Sequence, residues 1–302
     1  MSARRSHALS SADIDALFAP FARAKALLIA VSGGPDSTAL LLMAAEWAKR
    51  RGKTRIEAAT VDHGLRPESA DEAKSVAALC ARLGVGHRIL QWKGVKPTSR
   101  LQERAREARY RLLIDHAKAL GADAVMTAHH ADDQAETVLF RLLRGSGVAG
   151  LRGMDRMTER DGMMIARPLM SFKKRDLVAF ANARSAPFVD DPSNADPRFA
   201  RTRLRALLAR LDEEGLNAEA LDRLARRARE TEEALAHLTA EIETQVGSEG
   251  AIDARALFGA PIAIAHRILA RRIAEAGGRE ASRIGLEKIE TLAAGLSDAL
   301  KE

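Results

Sequence analysis

The chain has 302 residues and is 46% hydrophobic, enough to bury a large core, but no apolar run approaches the ~20 residues of a membrane span. The basic start, Met1–Arg5, leads into no apolar stretch of the secretory type, so a cytoplasmic location is expected. The single cysteine, Cys80, excludes an internal disulfide, a Cys-x-x-Cys metal site and a two-cysteine sulfur relay; it reads as a small buried hydrophobe. A formal net charge of +7 favours a polyanionic partner, and an aromatic content of 4% argues against a base-stacking platform.

The first 130 residues alternate strand and helix. Strands are expected at Ala26–Val31, Ile56–Val61, His87–Trp92 and Ala124–Ala128. Between and after them come helices at Thr38–Arg51, Ser69–Leu83, Leu101–Leu120 and about Asp133–Leu143, the first three each followed by glycine. This alternation predicts right-handed βαβ units and a parallel sheet with helices on both faces. Beyond Arg144 the pattern loosens into a glycine-rich loop (Gly145–Gly150), a short strand near Ile165, a helix at about Lys173–Ser185 and a turn-rich Asp190–Asn194. From about Thr202 the chain reads as helical, with helices at about Ala218–Gln245, Ala260–Ala276 and Ser282–Leu296. A domain boundary is expected near Asp212–Gly215.

Polar clusters fall at the strand ends, where open α/β sheets bind ligands. After the first strand, Ser32-Gly33-Gly34-Pro35-Asp36-Ser37 turns into a helix, which presents backbone N–H groups at the positive end of a helix dipole and suits phosphate. The lysine of GxxxxGK[ST] is absent, and Asp36 stands in the turn. A carboxylate beside phosphate is repulsive unless a cation lies between them, so Asp36 is the expected Mg²⁺ ligand. Asp62, His63 and Gly64 follow the second strand and face either a nucleotide or nothing more than a strand-end loop. His129–Glu136 packs five ionisable groups into eight residues at a strand-to-helix turn, with Asp133 and Glu136 on one helical face. Two such carboxylates can hold a metal or an ammonium group, although acids at a helix start also serve as caps. The spacing matches no zinc pattern. Arg104, Arg106, Arg109 and Arg111 crowd one helix, which suits a solvated face for most of them, while Arg109, beside Tyr110, could point toward a phosphate. Arginines recur at Arg198–Arg205, at Arg223, Arg226 and Arg227, and around His266–Arg272. Each stripe alone suits a solvated face, and together on a basic protein they suit a phosphate backbone.

SGGPDS (32–37), VDHGLRPES (61–69), ARYRLL (108–113), HHADDQAETVLFRLLRGSGVAGLRGM (129–154), RPL (167–169) and DDPSNADPRFARTRLR (190–205), in this order, closely resemble the tRNA(Ile)-lysidine synthetase family of the PP-loop ATP pyrophosphatases. Thr202 stands where the family usually has asparagine; many family members carry a further C-terminal domain, and the chain resembles the family's shorter form or a truncated one.

The resemblance implies a Rossmann-like, adenine nucleotide alpha hydrolase-like PP-loop domain over residues 1–212 and a small helical tRNA-binding domain over 213–302. It implies ligation of free lysine to carbon 2 of the wobble cytidine of tRNA(Ile) with anticodon CAU, through an adenylated intermediate, with ATP and Mg²⁺ and release of AMP and pyrophosphate. Ser32, Gly33, Gly34, Pro35, Asp36, Ser37, Asp62 and His63 would then hold ATP. Asp133 and Glu136 would hold lysine, Arg109 and Arg201 would stabilise the intermediate, and Arg203, Arg205, Arg223, Arg226 and Arg227 would meet the tRNA. The long helices offer room for a homodimer interface. Two rival readings remain open: a PP-loop tRNA thiolase, which the single cysteine disfavours, and a nucleotide-binding module without catalysis.

Overall fold

The structure, a computed structural model, describes residues 9–64, 69–94, 96, 99–189, 200–247, 251–277 and 285–300. The expectations for Leu65, Arg66 and Asp190–Phe199 lie outside the described residues. In chain order the elements are α1 (Ser11–Phe18), β1 (Ala26–Ala30), α2 (Pro35–Arg51), β2 (Arg55–Asp62), α3 (Ser69–Leu83) and β3 (Gly86–Gln91). Next come α4 (Leu101–Leu120), β4 (Ala124–Met126), α5 (Ala131–Leu142), α6 (Val148–Leu151), β5 (Met157–Arg160) and β6 (Met163–Ala166). The chain continues with α7 (Lys174–Ala183), α8 (Ala200–Glu213), α9 (Ala218–Val246), α10 (Ala254–Gly259), α11 (Ile262–Ala276) and α12 (Leu286–Ala299). They belong to two compact units, within Met1–Leu139 with Gly153–Asp222, and within Phe140–Arg152 with Arg223–Glu302. Among the described residues no helix is long and apolar enough to cross a membrane.

The first unit is built on a six-stranded sheet of order β3-β2-β1-β4-β6-β5. Its pairings are parallel except β5 with β6, a hairpin that closes one edge. The edge strand β5 is an addition to the expected parallel set: exposed Met157, Thr158 and Glu159 give it no buried run of the kind that marks the central strands. β1 is buried on both faces, as a continuous apolar run requires in a covered parallel sheet. Leu27 and Ile29 enter one core with Leu40, Leu41, Met43 and Trp47 of α2, while Ala26 and Leu28 enter the other with Tyr110, Leu113, Ile114 and Ala117 of α4. Each fully buried leucine there stabilises the fold by ~1.5–3 kcal/mol. Helix α1 adds Phe18, stacked on Trp47 at 5.1 Å, and is started by a capping box in which Ser10 Oγ accepts from Asp13 N and Asp13 Oδ2 accepts from Ser10 N.

The second unit has its own core of Val246, Leu257, Ile264, Ala265, Ile268, Leu269, Ile289 and Ala293, from α9, α10, α11 and α12. Charged pairs tie α11 to α9: Arg267 to Glu232, and Arg271 and Arg272 to Glu243. The basic cluster at His266–Arg272 is therefore largely committed to holding helices together.

Candidate active site

The strand order turns back between β1 and β4, which run side by side in parallel with Ile29 opposite Met126. Loops leaving their carboxyl ends diverge to opposite faces and leave a crevice between them. Ser32–Gly34 leave β1 into this crevice. Gly33 takes φ +89°, a conformation that costs any residue with a Cβ. Gly34 is the N-cap of α2 and Pro35 its first residue; among the described residues no side chain caps this terminus, which leaves its first-turn N–H groups available to an anion. The Ser37 hydroxyl closes the loop by donating to Gly34 O (3.0 Å) and accepting from Ser32 N (3.1 Å). Val189 N donates to Gly33 O (2.9 Å) and pins the turn from behind.

His130, at the foot of α5, is 3% exposed and lies among three carboxylates. Asp36 Oδ2 is 3.6 Å and Asp133 Oδ2 3.5 Å from its Nε2, and Asp132 Oδ2 is 3.3 Å from its Nδ1. Burial opposes its charge, but Asp132, Asp36 and Asp133 outweigh burial and raise its pKa to about 10. Burial would raise the Asp132 carboxyl in turn, yet His130 and the backbone N–H of Lys174 hold it down at about 2. That N–H bond (2.8 Å) makes Asp132 the anchor of the α7 N-terminus. Asp133 Oδ2 also accepts from His130 N at 3.1 Å. Asp36 Oδ1 is buried without a hydrogen-bond partner among the described residues.

Across the crevice, the end of β2 contributes His63, edge-on to Trp92 at 5.9 Å. Burial, and then the nearby Arg109 charge, push the His63 pKa down, which favours the uncharged ring. The Asp62 Oδ1 accepts from Gly64 N (2.8 Å) and closes the strand-end turn. Together these groups enclose a cavity of about 470 Å³. Ser32, Gly34, Pro35, Asp36 and Ser37 line it, as do His63, Arg109, Asp133 and Arg205. Gly33, Asp62 and Glu136 do not line it. Glu136 is 4% exposed, and its Oε1 accepts from Arg205 Nε, so it acts on the cavity through that guanidinium. Arg205 thus belongs to the crevice, whereas Arg203 is exposed on α8, and Arg223, Arg226 and Arg227 are exposed on α9 in the second unit. Arg201 lies on α8, with its side chain outside the described residues. Sequence reasoning passed over Lys174, which also lines the cavity, and Asp132 as a helix anchor. No local pattern marks either, because α5 and α7 meet only through the fold.

Among the described residues no three His, Cys, Asp or Glu side chains gather as a metal-binding group. Mg²⁺ needs fewer protein ligands, since it binds through one or two carboxylates plus substrate phosphates. The orphaned, buried Asp36 Oδ1 beside an open helix N-terminus fits that requirement.

The PP-loop domain model matches residues 7–211, the span that holds this crevice. The tRNA(Ile)-lysidine synthase of Rhodopseudomonas palustris is 48% identical to the chain, over 99% of it and 88% of that protein. The tRNA(Ile)-lysidine synthase of Methylobacterium nodulans is 50% identical over 87% of the chain and 79% of its own length. The chain belongs to the tRNA(Ile)-lysidine synthase family. Among solved structures, the U34-tRNA thiolase NcsA from Methanococcus maripaludis superposes with a TM-score of 0.57 at 18% identity, over 67% of this chain and 71% of that one, a likeness of fold. A lysidine synthase family member with a PP-loop domain uses ATP. The curated relatives favour neither the thiolase reading nor the non-catalytic module.

Proposed function

We propose that the chain joins free lysine to carbon 2 of the wobble cytidine of tRNA(Ile) with anticodon CAU, in two steps that share the β1/β4 crevice. Family membership supports the substrate pair. The observation that carries the mechanism is the juxtaposition of an uncapped glycine turn, Asp36 and Asp133 in one cavity.

In the first step the cytosine oxygen on carbon 2 attacks the α-phosphorus of ATP, the bond to the β-phosphate oxygen breaks, and pyrophosphate leaves. The Ser32–Ser37 turn supports this by offering fixed N–H dipoles to the phosphates, which need no reorganisation as charge builds. Asp36 would hold Mg²⁺, which offsets negative charge on the phosphates. His63 lines the cavity, and Arg109 and Arg201 would stabilise the adenylated intermediate.

In the second step the ε-amine of lysine attacks carbon 2 and AMP leaves with its oxygen. An ammonium group, with a reference pKa of about 10.4, is not nucleophilic until it loses a proton. Asp133 would hold the ammonium and accept that proton as the positive ring intermediate forms. Glu136 supports this step by fixing Arg205 on the cavity wall. The exposed Arg203 on α8 and Arg223, Arg226 and Arg227 on α9 would contact tRNA phosphates.

Pyrophosphate release separates the steps. Asp36→Ala should abolish tRNA-dependent pyrophosphate release. Asp133→Ala should retain it and lose lysine transfer by about 10²-fold or more, the scale of general base catalysis. Normal lysine transfer by the Asp133 variant would remove Asp133 from this role.

A further inference from the structure

The loop after β1 lacks the lysine that many phosphate-binding turns carry, yet the crevice holds one from elsewhere in the chain. Lys174 is the first residue of α7, a helix that starts 137 residues after Ser37. It lines the nucleotide cavity together with Ser32, Asp36 and Asp133. Its backbone is held by Asp132 Oδ2 at 2.8 Å, Asp132 pairs with His130, and His130 pairs with Asp36. A continuous chain of polar contacts therefore fixes the α7 start relative to the phosphate turn.

A triphosphate brings several negative charges into this cavity, and most cations there are already spent. His130 is surrounded by Asp36, Asp132 and Asp133. Arg205 is paired with Glu136. Arg109 stands on the far wall, near His63. On the α7 wall, Lys174 has no carboxylate partner for its Nζ among the described residues.

Lys174 also lines a second cavity of about 680 Å³ between α5, α7 and α8. That cavity has less need of it. Ala135, Val178, Leu208 and Ala209 make much of its wall; of its carboxylates, Asp132 is paired with His130 and Glu219 with Lys173, which leaves Asp212 as the competing anion. Desolvated phosphate oxygens make the stronger claim on an ammonium that has no carboxylate partner among the described residues.

We propose that Lys174 is a catalytic residue of the ATP half-reaction, whose ammonium binds the triphosphate from the α7 side and supplies the charge that the β1 loop lacks. The proposal rests on the ATP-dependent reading above. A lysine suits the task because it acts as a point charge with freely rotating donors, so it can follow the phosphates as they separate.

Equilibrium binding of ATP and of adenosine to the whole chain, in Mg²⁺ buffer, tests it with Lys174→Met and Lys174→Arg. Removal of one charge-assisted hydrogen bond should weaken ATP about tenfold or more in Lys174→Met. Adenosine should bind both variants as it binds the parent chain, and Lys174→Arg should recover most of the ATP affinity. Unchanged ATP binding by Lys174→Met would overturn the proposal, as would an equal loss for adenosine, which marks a purely structural role. Absence of ATP binding by the parent chain would instead sink the ATP-dependent reading itself.

Discussion

At the scale of single residues, similar side chains in similar settings carry different loads. Asp36 and Asp62 each stand near the end of a central strand, but Asp62 Oδ1 accepts from Gly64 N while Asp36 Oδ1 is buried with no hydrogen-bond partner among the described residues. The sequence placed both at strand ends, and nothing in either local pattern says which carboxylate closes its own turn. Glu136 is similar: its spacing from Asp133 was legible, but its pairing with Arg205, 69 residues away, depends on α8 returning to the crevice. Gly33 is the residue whose type the turn dictates. A Cβ added there would sit 3.5 Å from Val76 Cγ2, ordinary packing, so sterics with neighbours are minor and the φ of +89° decides. Gly33→Ala should cost about 1–2 kcal/mol through the left-handed backbone. A lowered urea midpoint together with weakened ATP binding checks it.

Among the elements, β1, α2, β2, α3 and α4 were readable because burial on a sheet face imposes periodicity and glycine ends each helix. The four-residue β5 was not, since it is held by pairing with β6 rather than by burial. Helix α1 carried a signal in Ser10 and Asp13, the serine and the acid three residues on that start a capped helix. It docks through a charged network: Arg50 of α2 bonds Asp15 and Glu46, and Glu46 also receives Arg184 from the end of α7. Burial would raise the Glu46 pKa, but Arg184 and Arg50 win and lower it below 4.5. A depressed folded pKa contributes stability above the unfolded value and loses it as pH falls through the folded one. Glu46→Gln should therefore melt below the parent chain at pH 7, and the difference should close as pH drops below 4.5. A gap in melting temperature that stays constant with pH would contradict this assignment.

For the whole molecule, net charge was a coarse guide and its distribution a better one. Of the basic stripes, the one at Arg267–Arg272 is absorbed by Glu232 and Glu243, while Arg223, Arg226 and Arg227 remain exposed on α9. Sequence alone could not separate them, because the acids that neutralise the first stripe lie on another helix. Nor did it assign Phe140–Arg152, which joins the helical unit although it is flanked by segments of the sheet unit. If the α9 arginines meet phosphates, replacing all of them by alanine should weaken tRNA binding. It should also reduce the slope of log affinity against log salt by about 0.7–0.9 for each phosphate left without its arginine. An unchanged slope would return them to the status of a solvated face. ATP binding should be untouched, since the crevice lies within the sheet unit.

The central claim is that one crevice activates a tRNA with ATP and then delivers lysine to it. Incubation of the chain with labelled lysine, ATP and, separately, the isoleucine and methionine tRNAs bearing CAU anticodons tests it most directly. The account predicts label in the isoleucine tRNA alone, with AMP and pyrophosphate formed in equal amounts. ATP binding without label in that tRNA, or label entering both tRNAs equally, would contradict it.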